Sequence, residues 1–564
     1  MYKFSILVLG LAATLFSACG GGGAAITKHV PENAMAVGTF DMGILLKKAN
    51  FERFSQTPEY KKALERAREP HRKYLSNPAE TGIDVAATGA FYLQVTDEMG
   101  TKVNAVLILP MKDEAKFNQF FQAINDNKDF TEPVEKKGYK FSTPNSKVDE
   151  LFMAWDKKIF IMGYVGGVVP SPEKELIIDR IFKPEGKSIN DNADFARHAK
   201  VKKDIMFWAS TDAYFKQLLA GETGPTVKMG LGFFGLQEAD LTGNSITAYH
   251  DFQNGKWEGT ADFTFSKGLK TQFGGIFKDK PSQTYEKYLP SDKLFAVLST
   301  AVDLNQLYQV LEKRRLHTRI DANLENLKLT SKDLFNSLSG EGCIGIYPRA
   351  STETANNDSP TVPRPNPEDE QADSKDNNIN PEDDNAEQIL ELYQTPARPE
   401  FNFVFVSGVK DVSPLNKILA MPEIALLVKK QGDIYAFNNP QNEGEKLYFF
   451  LSDKLLVASN MEEPALQAAK GGYANANLPA SVAAQMNKGW ASFYVNLATF
   501  YQQMAANNTN GLPENAFNET FGKEITDYSG FAQGTKATLG IELKSKDKNY
   551  LERSIELLIE ASNK

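Results

Sequence analysis

At 564 residues, 41% hydrophobic and 11% aromatic, the chain can bury the cores of two or more ordinary domains. Its 72 acidic and 63 basic residues give a formal net charge of -9, and no basic stripe stands out, which argues against nucleic acid as a partner. Two cysteines, Cys19 and Cys343, are too few for a disulfide framework, so the fold must rest on apolar burial.

The first eighteen residues read as a signal peptide. Lys3 gives a positive start, Phe4 to Phe16 form an apolar run, and Ser17 and Ala18 are small residues ahead of a cleavage point. That run is shorter than the ~20 residues a permanent membrane helix needs. Cys19 follows, then Gly20 to Gly23; the pattern resembles the lipobox of bacterial lipoproteins, with Phe16 where a leucine usually stands and Leu15 one place upstream. The resemblance implies lipidation of Cys19 and a flexible tether over residues 19–28. A lipidated Cys19 leaves Cys343 without a partner.

Two segments far apart match in order. Residues 30–48, VPENAMAVGTFDMGILLKK, and residues 289–313, LPSDKLFAVLSTAVDLNQLYQVLEK, each read as Pro, a loop, a strand, then Asp before a helix. Asp41 and Asp303 fit as helix N-caps, whose carboxylates accept the free N–H groups of a first turn. Downstream, residues 87–95 answer 339–347 as alternating strands, Lys112-Asp113 answers Lys410-Asp411, and Tyr139, Phe141 and Pro144 answer Tyr435, Phe437 and Pro440. Asp156-Lys157 and Asp453-Lys454 each break two apolar runs as a hairpin turn would. A fainter echo links residues 202–219 with 487–504: a strand, then Asp212 or Asn496, then an aromatic helix. We read two tandem copies of a mixed unit, residues 29–288 and 289–564, each of two related parts. Amphipathic helices are expected over Pro58–Tyr74 and Lys112–Ile124, and short turns imply antiparallel sheets, hence an α+β fold. Residues 350–400, rich in Pro, Asn, Asp, Glu and Ser, read as a disordered acidic insertion with one helical stretch at 386–393.

Chemical motifs are sparse. His29, His71, His198, His250 and His317 stand apart in sequence; His71 and His317 sit among Arg and Lys, which suggests the surface, and none makes a metal-binding pair. GLGFFG at 230–235 and GEGCIG at 340–345 lack the strand-to-helix context of a dinucleotide site and read as turn or bulge glycines. Cys343, in an apolar strand, reads as a buried inert thiol. NDNKD (125–129) and NDNAD (190–194) carry oxygen ligands but lack the glycine and distal glutamate of a calcium loop, so turns are expected. Phe401, Phe403, Phe405, Tyr214 and Phe215 fall at core-packing spacings. No catalytic, cofactor or metal residues are assigned, and lipidation of Cys19 is the one site named.

With its lipoprotein start, the opening Val30-Pro31-Glu32 and the duplicated LP…FAV…DLNQL unit, the chain resembles a Bacteroidetes lipoprotein family, that of the domain of unknown function 4836. The resemblance implies an envelope location and no established activity. It also implies a rule of side, since surface-bound lipoproteins there carry acidic residues after the lipidated Cys. Gly20 to Ala25 carry none, and Lys28 is the first charge, which favours the periplasmic face of the outer membrane. The expectation is a non-enzymatic binding or scaffolding protein, held to the membrane by its lipid, with an envelope protein or glycan as partner and no cofactor. The alternatives are a surface-exposed capture protein for glycans or peptides, and a hydrolase using paired carboxylates.

Overall fold

The computed structural model describes residues 24–95, 103–145, 151–166, 173–220, 224–233, 237–313, 316–349, 401–438, 446–474, 478–499 and 514–562. The signal peptide, Cys19 and the acidic insertion at 350–400 lie outside the described residues.

Among the described residues twenty strands form one sheet. The first ten are β1 (Ala36–Asp41), β2 (Thr88–Val95), β3 (Val103–Pro110), β4 (Val134–Lys136), β5 (Tyr139–Ser142), β6 (Leu151–Trp155), β7 (Ile159–Val165), β8 (Ile205–Ser210), β9 (Ser245–Gln253) and β10 (Lys256–Thr264). The second ten are β11 (Ala296–Ala301), β12 (Leu338–Pro348), β13 (Phe401–Val409), β14 (Val428–Gln431), β15 (Ile434–Asn438), β16 (Lys446–Leu451), β17 (Leu455–Ser459), β18 (Ala491–Asn496), β19 (Ile525–Gln533) and β20 (Lys536–Leu543). In space the first set runs β4-β5-β6-β7-β3-β2-β1-β8-β9-β10. The second runs β14-β15-β16-β17-β13-β12-β11-β18-β19-β20, so one pairing scheme occurs twice. All pairings are antiparallel, in agreement with the short connections and the α+β class.

Local chemistry sets the element ends. The Asp41 carboxylate accepts the Ile44 N–H at 3.1 Å and starts the helix Met42–Lys48. Asp303 accepts from Asn305 and Gln306 at 3.0 and 3.1 Å and starts Leu304–Lys313. Asp156 turns β6 into β7 by accepting the Lys158 and Ile159 N–H groups at 2.7 and 2.8 Å. Asp113 caps the helix Glu114–Ile124. The helix expected over Pro58–Tyr74 is instead two, Pro58–Arg66 and Glu69–Ser76. Pro70 cannot donate a helical N–H, and its ring would collide with the Arg66 carbonyl, so the chain turns extended at Ala67 and Arg68.

The first strand set is buried on both faces. On one, Val37, Tyr92, Ile108 and Trp208 pack with Ile177, Ile178 and Ile181 of the helix Glu173–Phe182. On the other, Phe40, Leu109, Trp155 and Phe160 pack with Phe117 and Phe121 of the helix Glu114–Ile124. The second set has its main core on one face, where Val297, Cys343, Val404, Val406 and Val457 meet Val482 and Met486 of the helix Ala480–Met486. Phe401, Phe403 and Phe405 do not belong to that core. They alternate with Val404 and Val406 and so point to the opposite face, where Phe405 is 37% and Leu298 45% exposed.

The two sets join edge to edge, β10 pairing with β20 from Lys256↔Glu542 to Asp262↔Lys536. Helices cross this seam in both directions. The helix Tyr550–Ser562, which follows β20, packs on the first set: Tyr550 and Leu551 join Leu45, Phe252 and Trp257, while Asn50 and Arg53 each donate to Glu552 at 2.9 Å. Reciprocally, the helix Lys267–Phe273, after β10, touches the helix Leu304–Lys313 of the second set. Just beyond it, the rings of Phe277 and Trp490 meet at a tilt of 34° with centroids 4.2 Å apart.

Phe117→Ala should remove about 3–5 kcal/mol of stability, because a fully buried ring between Trp155 and Phe160 leaves a cavity. Urea unfolding followed by tryptophan fluorescence checks this, and an unchanged midpoint would place Phe117 outside the core.

Candidate functional site

Polar side chains converge where β8, β9 and β10 approach β20. Asn192 accepts the N–H groups of Asp194 and Phe195 at 3.0 and 3.1 Å, and this cap starts the helix Ala193–His198. The helix aims Asp194 at the sheet, where its carboxylate accepts from the Trp208 indole at 2.9 Å, from Thr264 at 3.2 Å, from Arg197 at 2.6 Å and from the Ser245 hydroxyl. Burial pushes the Asp194 carboxyl up, but the hydrogen bonds from Ser245 and Trp208 and the nearby positive charge outweigh it and hold the carboxyl below its ordinary value. One turn on, His198 Nδ1 lies 2.7 Å from the Tyr249 hydroxyl, both groups buried. Burial holds His198 below its usual value, so the ring is neutral near pH 7, and burial lifts Tyr249 to about 12. The Ser245 hydroxyl gives its hydrogen bond to Asp194 and not to His198, so the cluster is a structural clamp rather than a nucleophile with its base.

Beside this clamp opens a cleft of about 650 Å³ at the Thr264 and Lys536 end of the seam. The first strand set supplies Arg197, His198, Lys203, Tyr249 and Asp262, with Phe263, Phe265 and Lys270 just beyond; the second supplies Thr535, Lys536 and Thr538. Four of the lining residues are cationic and Asp262 is the one carboxylate, although the whole chain is acidic. Thr535 and Asp262, 273 residues apart in sequence, lie 3.5 Å apart here.

The convergent carboxylates nearest this site are Asp204 and Asp251, and both are held by lysines. Lys48 contacts both, and Lys203 reaches Asp251 at 2.9 Å. Asp204 also accepts the Phe252 N–H at 2.7 Å. Burial pushes both carboxyls up; for Asp251 the hydrogen bonds from Lys203 and Lys48 prevail and hold it well below the carboxylate range. A carboxylate locked in this way is ionised and fully hydrogen-bonded at neutral pH, which suits fixing the helix Met42–Lys48 to the sheet.

The other residues singled out in the sequence are dispersed. His71 is buried, not at the surface, because the helix Glu69–Ser76 turns it inward; its Nε2 has no partner among the described residues. His317 is half-buried against Tyr308, His29 Nδ1 sits 2.6 Å from the Ile181 carbonyl, and His250 stacks on Trp257 at 5.4 Å within β9. Asn125 of the first acidic cluster closes a turn on Phe130, and Asp126 pairs with Arg68 at 3.0 Å. Among the described residues no group of His, Cys, Asp and Glu is arranged to hold a metal ion. Gly230 and Gly232 lie in the helix Gly224–Phe233 rather than in a turn, while residues 234 and 235 fall outside the described set. Gly340 does stand at a bulge of β12, with φ of 75°, and Cys343 is buried, which pushes its thiol far up.

A family model described as "Domain of unknown function (DUF4836)" matches residues 27–551. The chain belongs to this family. No curated protein matches it. Among solved structures, crystal form I of TP0453 is similar at 8% identity and a TM-score of 0.24, covering 42% of this chain and 78% of that one. Crystal form IV of TP0453 gives 8% identity and a TM-score of 0.25, covering 43% of this chain and 83% of the other. Likenesses of that size say nothing of what this chain binds.

Asp251→Asn should destabilise the fold by roughly 1–3 kcal/mol at pH 7, since Lys203 loses its counter-charge and Lys48 one of its two. The native carboxyl is held below its unfolded value of about 3.9, so the stabilisation is full above that value and drains as pH falls through the lower folded one. Denaturation midpoints of wild type and variant, measured across pH 2–7, should therefore differ at neutral pH and converge in acid. A gap independent of pH would assign the loss to packing instead.

Proposed function

We propose that the protein is a non-enzymatic lipoprotein of the bacterial envelope, held to the outer membrane by lipid on Cys19 and facing the periplasm, which binds or scaffolds a partner at the seam of two copies of one unit. The observation that carries the reading is the seam cleft, whose wall is drawn from both strand sets. The recurrence of one pairing scheme in both sets supports descent from one unit, and the lipobox-like start supports the anchor. The polar cluster beside the cleft is fully engaged in internal hydrogen bonds, which favours a rigid binding wall over a reactive one. A polymeric or proteinaceous envelope component suits such a wall, because an open cleft lets a chain enter and leave.

Cys19→Ser should move the protein from the membrane to the soluble fraction on cell fractionation, since acyl chains supply the attachment. Retention on the membrane would end the lipid-anchor reading. Proteinase added to intact cells should leave residues 350–400 uncut until the outer membrane is broken. Cutting on intact cells would put the protein on the surface and bring the capture alternative forward.

A further inference from the structure

The composition of the cleft wall narrows the class of partner, and this step rests on the reading of the cleft as a binding site. Arg197 is 2.6 Å from Asp194, and Lys203 is 2.9 Å from Asp251, so those two cations are compensated. Lys270 and Lys536 have no carboxylate at ion-pair distance among the described residues. Lys536 stands directly across the strand pair from Asp262, the carboxylate of the lining, so its charge is partly offset, while Lys270 faces no such partner; each ammonium is a point charge that accepts an anion from many directions. Thr260, Thr535 and Thr538 add hydroxyls between them. At the rim the rings of Phe263 and Phe265 lie 6.2 Å apart and 7° from parallel, and Phe265 is 43% exposed. By strand alternation Phe263, and Phe265 stacked on it, leave β10 on the face opposite Thr260, Asp262 and Lys536 and border the cleft only at its open end, where an exposed ring near cationic side chains matches a ligand that is anionic, hydroxylated and flat on one side.

A peptide added as a further strand is disfavoured here, because β10 is already paired with β9 and β20, and β20 with β10 and β19. We propose that the seam cleft binds an acidic saccharide, with its carboxylates on Lys270 and Lys536 and the C–H face of a ring on Phe265. The anion is paired with ammonium groups at the wall, while the ring covers apolar surface that is otherwise wet.

Isothermal titration of the full mature chain with an oligogalacturonate tests this, alongside the same oligosaccharide with its carboxyls reduced to alcohols and alongside inorganic phosphate. The acidic oligosaccharide should bind, more weakly as salt rises. Reduction of its carboxyls should weaken binding by ~tenfold or more, as should the double variant Lys270→Glu/Lys536→Glu. Phe265→Ala should weaken it several-fold while the circular dichroism of all variants stays that of wild type. Equal binding of the reduced oligosaccharide would overturn the role of charge. Competition by phosphate at similar concentration, with Phe265→Ala silent, would reduce the cleft to a general anion site and overturn the saccharide. A photo-crosslinker placed at Thr538 separates the two levels. Titrations without heat while it still captures an envelope component remove the saccharide and leave the binding reading; no titration and no capture remove both.

Discussion

The pairing of β10 with β20 is the constraint on which the architecture depends. It runs from Lys256 opposite Glu542 to Asp262 opposite Lys536, with opposite charges facing each other at both ends and Trp257–Ile541, Gly259–Leu539 and Thr260–Thr538 among the pairs between. A strand edge left open would expose a row of unpaired backbone groups. Here the two most dangerous edges close each other, and the remaining outer edges belong to β4 and β14, short strands that carry Lys136, Lys429 and Lys430. The cleft exists because of the same pairing, since neither strand set holds Lys270 and Lys536 near each other without it.

Side-chain interactions then fix what the backbone seam begins. Helices from each strand set lie on the other, so separating the sets would expose Leu45, Phe252 and Tyr550 together and break the Asn50 and Arg53 bonds to Glu552. The sets are nevertheless unequal. In the first, the helix Glu114–Ile124 brings Phe117 and Phe121 onto the second face of the sheet; in the second, the corresponding helix Ser413–Leu419 buries only Pro414. The same topology thus supports a sheet covered on both faces on one side and a more open aromatic face on the other.

The features legible in the sequence were those decided within a few residues. Asp41 and Asp303 cap helices because a carboxylate beside free N–H groups needs no tertiary partner. The break at Asp156 and the alternation of β2 and β12 are equally local. Alternation cannot say which face of a strand meets the core, and Phe401, Phe403 and Phe405, though at core-packing spacings, lie on the face opposite Val404 and Val406. His71 stands beside Arg72 and Lys73 in sequence, yet successive helix positions point about 100° apart, so a buried residue can adjoin an exposed one. The candidate site is nearly invisible in the sequence: Asp194 sits in a cluster that reads as a turn, and Lys270, Lys536 and Phe265 carry no signal until the seam brings their elements together.

The seam also has a consequence in time. β10 is complete by residue 264, but its partner spans residues 536–543, so the seam closes only when two segments far apart in the chain meet. Until they meet, the first ten strands carry an unsatisfied edge, and that edge fits the β20 of a neighbouring chain as well as its own. Folding of this protein is then a race between closure within one chain and exchange between two, decided by local concentration and by whatever escort shields the nascent edge.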